Sequence, residues 1–294
     1  MNGISLKKQF IYFIVFTVSS IIFGIIGYFF PMIFAFIFSF FKYNGITTPI
    51  FTGLTNYSRL LNDSVFWISL KNNFLYACFV VPTTTIISLL IAVGLNRKVK
   101  IIIPILRTIY LLPLVTSSIA ISIVWMWIYN GNFGLLNQVL SIFNIQGPNW
   151  LMNPNVSLLS IAAVNIWATI GYYSVIFLSG LQSIPSEYYE AAQIDGASVF
   201  QKFIYITLPL ISPMTFFVVI LSTIGSFQLF DYVYMMTNGG PGYSSYSLVY
   251  YVYLNGFSYM KMGYGMAISM VLFVILLFLT AIQFLFQRKW VFYK

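Results

Sequence analysis

The sequence has no histidine, one cysteine and five acidic residues in 294 positions. Each shortage removes a class of chemistry. With no His and only Cys78, the chain has neither a His/Cys metal site nor an imidazole general base. A single cysteine forms no disulfide within the chain, so it says nothing about redox compartment. Charged residues amount to 6% of the chain, where a soluble domain carries about 25%. That is too few to cover a water-facing surface, which excludes a soluble globular enzyme. Disorder is excluded too, because it requires low hydrophobicity and high charge.

What is abundant is apolar: 60% of residues are hydrophobic, 20% are aromatic, and the mean hydropathy is +0.90. The apolar runs are long and lack the period-two alternation of a barrel, so the spans are helices. The fourteen Lys and Arg give a net charge of +9. In a soluble protein that excess would suggest nucleic acid. In a membrane protein it reports topology, since Lys and Arg gather on the cytoplasmic side.

Charge-free runs long enough to cross a bilayer, about 20 residues each, count the spans. The run from Lys8 to Lys42, interrupted by Pro31, fits one tilted helix with an extended outer end. Its start resembles a signal peptide, but the apolar run is too long and has no small-residue cleavage site, so it reads as a retained span. A second span lies between Lys71 and Arg97. No residue is charged between Arg107 and Glu187, and the turn-rich middle of that stretch (Asn130-Gly131, Gly147-Pro148, Asn153-Pro154) divides it into two spans with an external connection. A fifth span fits between Lys202 and Asp231 and a sixth between Lys261 and Arg288.

With both termini inside, Lys7, Lys8, Arg97, Lys98, Lys100, Arg107, Lys202, Arg288, Lys289 and Lys294 are cytoplasmic. Only Lys42, Arg59, Lys71 and Lys261 fall outside, a bias that supports this orientation. Tyr43, Trp67, Trp125, Trp127, Tyr129 and Trp290 lie near span ends, where aromatic anchors are common.

One cytoplasmic loop breaks the positive pattern. Between spans four and five, Glu187, Glu190 and Asp195 supply three of the five acids. Pro185 and Ser186 start a short helix, and an acid in its first turn suits the helix dipole. Gly196 can end it in the left-handed conformation. Phe200, Phe203, Ile204 and Ile206 then make a partly amphipathic segment that Pro209 brings to the membrane, giving a cytoplasmic helix–turn–helix.

The pattern Glu190-Ala-Ala-x-x-Asp195-Gly196-Ala197, followed by Ile206-x-Leu208-Pro209 and Pro213, resembles the EAA loop of bacterial ABC importer permeases. Pro104-x-x-Arg107-x-x-Tyr110-Leu-Leu-Pro113, Thr237-Asn-Gly-Gly-Pro-Gly242 and Gly263-Tyr-Gly-x-Ala267 resemble the first permease of the binding-protein-dependent sugar importers, of maltose, multiple-sugar and glycerol-phosphate type. The resemblance runs from about Lys71 to the C-terminus. It implies an all-α polytopic fold of six transmembrane helices, the type I ABC importer transmembrane domain with a cytoplasmic coupling helix. Residues 1–70 would be the first helix and a short external loop, 71–287 five helices with the loop at about 185–213, and 288–294 a cytoplasmic tail.

The resemblance further implies that Glu187, Glu190, Ala191, Ala192, Asp195 and Gly196 couple the chain to an ATPase. The chain has no phosphate loop, so two separate ATPase subunits would bind ATP and Mg, and this chain would hold no cofactor. A second related permease and an extracytoplasmic solute-binding protein complete the implied assembly, in the bacterial plasma (inner) membrane. Asn165, Trp167, Tyr173, Ser222, Gly225 and Ser226 fall where such permeases line a sugar site. Each has a plainer role open to it: Ser binds its own helix, and Trp and Tyr anchor at interfaces. Asp231 is an outer-gate or binding-protein contact, or an end-of-helix charge. No Lys or Arg lies inside the spans, which favours a neutral sugar over glycerol-3-phosphate. An ion-coupled secondary transporter, the weaker alternative, would need buried ionisable groups, of which the spans offer none apart from Asp231; an intramembrane enzyme would need paired acids or His, which they lack.

Overall fold

The computed structural model describes residues 6–96 and 102–292. The chain runs through α1 (Leu6–Gly24), α2 (Phe30–Phe38), the strands β1 (Phe41–Lys42) and β2 (Ile50–Phe51), α3 (Thr55–Leu61), α4 (Ser64–Leu95), α5 (Ile102–Val115), α6 (Ser118–Ile128) and α7 (Leu135–Ile142). It continues through α8 (Ser157–Gln182), α9 (Ser186–Ile194), α10 (Val199–Lys202), α11 (Leu208–Leu210), α12 (Ser212–Phe227), α13 (Asp231–Met236), α14 (Leu248–Tyr253) and α15 (Met262–Gln287). Arg97, Lys98, Lys100 and Lys294, four of the cations assigned to the cytoplasmic side, lie outside the described residues, as do the side chains of Lys7 and Lys8.

Among the described residues, four stretches are long and apolar enough to cross a membrane: Tyr12–Phe38, α4, α8 and α15. Spans three and five are bent where the sequence suggested continuous helices. α5 meets α6 at 100°, and the segment Val199–Leu210 meets α12 at 64°. Counting each bent pair as one crossing gives six.

The breaks have local causes. Pro213 sits at the start of α12 and has no N–H to offer the carbonyl of Pro209; the Ser212 hydroxyl donates to that carbonyl instead, at 2.6 Å. Pro31 and Pro209 are each preceded by a π-helical turn, Ile25–Phe29 and Phe203–Thr207, which absorbs the missing hydrogen bond without ending the helix. At the α5–α6 bend, Ser117 is extended and Thr116 turns its hydroxyl back to the Leu112 carbonyl.

The backbone forms two compact units. The first joins the N-terminal residues up to Asp63 with Val252–Phe273. Within it the most apolar window of Tyr12–Phe38 buries none of its residues against the chain. Beyond it the strands pair antiparallel, Phe41 opposite Phe51 and Lys42 opposite Ile50, so the extended outer end takes the form of a small hairpin. Asn56 holds the hairpin by donating to the Ser39 and Phe41 carbonyls. Gly263 donates to Tyr43, and a side chain at Gly263 would run into the Phe41 carbonyl.

The second unit joins Ser64–Tyr251 with the chain from Val274 onward. The units divide at Asp63/Ser64, where α4 begins. Lys71 therefore lies inside α4. α4 packs along α8 around Leu89, Ala92, Tyr173, Phe177, Leu178 and Leu181, with Ile211 and Val218 closing the core from the α12 side. In lipid this packing is not driven by expulsion of water; close contact and interhelical hydrogen bonds hold it. Ser88 donates to the Ile170 carbonyl at 3.1 Å, and Gly171 lets α8 approach the backbone of α5 at Tyr110. Asn73, fully enclosed, donates to the Ser226 carbonyl at 3.2 Å and accepts from the Leu248 N–H at 2.7 Å, tying α4 to α12 and α14. Its neighbour Asn72 holds the Tyr243 and Tyr246 carbonyls. The tail returns to the start of α12, where the Phe292 N–H reaches the Ser212 hydroxyl.

Candidate functional site

The acidic loop folds as a capped helix–turn–helix. Pro185 precedes α9 in an extended conformation, and Glu187 lies in the first turn, near the positive end of the helix dipole. At the other end Gly196 adopts φ +74°. The Gly196 N–H reaches the Gln193 carbonyl and the Ala197 N–H reaches Ala192, the paired bonds of a Schellman cap. Ser198 then opens α10 with a reciprocal capping box to Gln201. Two side-chain contacts brace the turn: Tyr189 to Thr207 at 3.0 Å, and Lys202 to Gln193 at 3.3 Å.

Residues spaced three and four apart share a helix face. Glu187, Glu190, Ala191 and Ile194 therefore form one side of α9, and that side is exposed. Ala192 lies on the other side, half-buried with Tyr189. Asp195 and Gly196 are exposed at the turn. Ile194, Val199 and Phe200 are 87%, 86% and 73% exposed, bare apolar side chains on the same short loop as the two glutamates. Sequence reasoning missed Ile194, although its i, i+4, i+7 relation to Glu187 and Ala191 was there to read.

The six candidate solute residues do not converge on one surface. On α8, at 100° per residue, Asn165 and Trp167 point about 160° apart. Asn165 lies on a half-exposed stripe with Thr169 and Tyr172 at i+4 and i+7, and its amide has no hydrogen-bonding partner among the described residues. Trp167 packs edge-on against Trp125 at 5.6 Å and lines an apolar cavity of about 350 Å³ in the crook of α5 and α6. Tyr173, expected near the solute, is buried in the α4–α8 core; its neighbour Tyr172 occupies the stripe because it is one helical step closer to Asn165.

On α12, Ser222 and Ser226 are likewise buried, and their hydroxyls bond the carbonyls of Val219 and Ser222. Gly225 instead faces open space, in line with half-buried Leu221 and exposed Gln228. The Gln228 amide also has no partner among the described residues. Asp231 begins α13 and accepts a 2.6 Å hydrogen bond from Ser118 at the start of α6. Beside it, the Tyr232 phenol is held above its ordinary pKa, first by burial and then by the Asp231 carboxylate. Among the described residues no group of His, Cys, Asp or Glu is arranged to hold a metal ion.

The motif Thr237-Asn-Gly-Gly-Pro-Gly242 forms a knot of local hydrogen bonds. Thr237 meets Ser245 at 2.7 Å, Ser245 donates to Gly240, and the Tyr250 hydroxyl donates to Asn238. Gly239, at φ +80°, lies under the Tyr246 ring, where no side chain fits.

Residues 84–291 match the family described as binding-protein-dependent transport system inner membrane component. The trehalose/maltose transport system permease protein MalF of Thermococcus litoralis is 38% identical over 234 residues, covering 79% of this chain and 78% of its own length. The probable ABC transporter permease protein YurN of Bacillus subtilis is 36% identical over 241 residues, with coverage of 81% and 82%. In fold, the chain is similar to one from a bacterial alginate ABC transporter solved in complex with an alginate pentasaccharide-bound periplasmic protein. The TM-score is 0.84 at 20% identity, over 97% of this chain and 96% of that one. The all-α polytopic architecture is thus that of an ABC importer permease, and the chain belongs to the binding-protein-dependent inner-membrane permease family of ABC transporters.

Proposed function

We propose that this chain is one of two related permease subunits of an ATP-driven importer for a sugar or oligosaccharide. Its termini face the cytoplasm, and an extracytoplasmic binding protein delivers the solute. The observation that carries the reading is the exposed face of α9. A short helix, capped at its C-terminus and braced by Tyr189 and Lys202, moves as a unit; its uncovered face pairs two carboxylates with Ile194, and Val199 and Phe200 are bare on the same short loop. Bare apolar side chains on so stiff a support suit a groove on another protein. In this reading the partner is a separate ATPase, two copies per assembly, which binds ATP and Mg and drives the spans through α9. Glu187, Glu190, Ala191 and Asp195 meet it, Ala192 packs the helix from behind, and Gly196 holds the turn.

Among the described residues the amides of Asn165, inside α8, and Gln228, at the end of α12, have no hydrogen-bonding partner; this supports a polar pathway bounded by α8 and α12, since an unsatisfied polar group in a membrane span is costly unless a solute or a second subunit meets it. Tyr172 adds an aromatic platform on the Asn165 stripe, and Gly225 leaves room beside Gln228. The sugar assignment is supported by the trehalose/maltose relative, and the binding-protein partner by the alginate transporter complex.

Cross-linking tests the coupling reading. Cys78 is exposed, so a Cys78→Ser background is required. In transport-active membranes Ala191→Cys should cross-link to a separate ATPase chain through a short bismaleimide. Active uptake with no such adduct contradicts the assignment.

A further inference from the structure

Within the first compact unit, the hairpin, α3 and the start of α15 enclose a cavity of about 320 Å³. Its charged lining is entirely cationic: Lys42, Arg59 and Lys261. These are three of the four cations that the charge count put on the outer side. Asn56 and Thr47 add neutral polar groups, and no acid lines the cavity. Among the described residues, none of the three cations has a carboxylate partner. Arg59 stacks over the Tyr264 ring at 4.3 Å, and Lys261 lies 5.7 Å from the Tyr259 ring centre. The acid beside Tyr264, Asp63, accepts the Tyr264 hydroxyl. With three positive charges and no acid in its lining, the cavity is complementary to an anion.

Depth selects the anion. Lys42 follows the end of the first span, at Phe38, by four residues, and Lys261 immediately precedes the last span, at Met262. The cavity therefore lies where lipid headgroups lie. Its surroundings are apolar and bare: Ile46 is 81% exposed, and Ile50, Phe51 and Leu54 are exposed beside it. Water-exposed side chains of that kind are unfavourable around a site for a soluble anion; beside acyl chains they are matched.

We propose that this cavity binds the phosphodiester headgroup of an anionic phospholipid from the leaflet opposite the termini. Arg59, oriented by Tyr264, forks onto the phosphate, while Lys42 and Lys261 supply point charges from either side. The exposed hairpin residues lie along the acyl chains. The proposal rests on Tyr12–Phe38 and α15 being spans; failure of the purified protein to enter a bilayer would defeat that premise separately.

The test is lipid retention by the full chain in its assembled complex, reconstituted in nanodiscs of equal phosphatidylglycerol and phosphatidylcholine and read by mass spectrometry. The wild type should retain phosphatidylglycerol preferentially. Lys42→Gln, Arg59→Gln and Lys261→Gln should each lower that preference about fivefold, the effect of roughly one surface cation on an anionic lipid. Lys42→Arg and Lys261→Arg should keep it, which separates charge from fold. Millimolar inorganic phosphate should not displace the lipid. Displacement by phosphate would reassign the cavity to a soluble anion and overturn the proposal. So would unchanged lipid preference in all three Gln variants, or a defect confined to docking of the binding protein.

Discussion

Gly196 offers the sharpest perturbation of α9 and of the coupling role proposed for it. It adopts φ +74°, and a Cβ placed there meets no heavy atom within 4 Å. A substitution therefore acts through backbone conformation alone. For an L-residue the left-handed region costs roughly 1–2 kcal/mol, less for Asn and more for a β-branched side chain. Through the Schellman bonds from Gly196 and Ala197, that cost falls on the end of α9 and the angle at which α10 leaves it. At about 1.4 kcal/mol per tenfold, the capped geometry in Gly196→Ala becomes about 5- to 30-fold less populated relative to alternatives. Because Gly196 is exposed and remote from the α4–α8 core, insertion and the amount of complex should be unchanged. ATP-driven uptake by reconstituted complexes, normalised to assembled protein, should rank Gly above Asn, Asn above Ala, and Ala above Val. A ranking by side-chain size, with Ala best and Asn as poor as Val, would refute the conformational argument. Normal uptake by Gly196→Val would refute the coupling role.

Three further substitutions test other joints of the account. Asn165→Ala should raise the apparent Km for uptake about 2- to 10-fold, the loss of one hydrogen bond, with complex yield unchanged; an unaltered Km removes Asn165 from the pathway. Gly171→Val forces a side chain into the backbone of α5 at Tyr110 and should destabilise the protein by about 1–3 kcal/mol, read as a lower melting temperature in detergent. Asn73→Leu leaves the Leu248 N–H without its acceptor and should cost about 1–3 kcal/mol. Limited proteolysis should then cut near α14 before α8, and a wild-type digestion pattern would contradict the tie.

The acidic α9–α10 loop was legible because its signals are local. Pro185, the glutamate in the first turn and Gly196 specify a short helix with both ends marked, and Ser198 with Gln201 was a readable capping box. The number of crossings was legible from charge-free runs, whereas their shape was not. Thr116, Ser117 and Ser118 interrupt an apolar stretch only mildly, so composition gives no hint of the 100° turn there. The facing of side chains was the least legible. Whether Tyr172 or Tyr173 meets the open stripe depends on which flank of α8 is covered by α4, and that is a tertiary fact. For Ser222 and Ser226 the sequence leaves open both a solute contact and a bond to their own helix, and the fold takes the second. Asn72 and Asn73 sit in an uninterrupted helical run, and only the return of the chain near Tyr243 and Leu248 gives them partners. The cationic cavity shows the same limit: Lys42, Arg59 and Lys261 are scattered in sequence and meet only when the hairpin folds onto the start of α15.

In the proposed function this chain transports only as part of an ATP-driven assembly. The most direct measurement is uptake of labelled sugar into proteoliposomes, comparing this chain alone with its complex of second permease, ATPase and loaded binding protein. The complete complex should accumulate sugar only while ATP is hydrolysed, and the single chain should accumulate none under any ion gradient. Gradient-driven accumulation by the single chain would contradict that function.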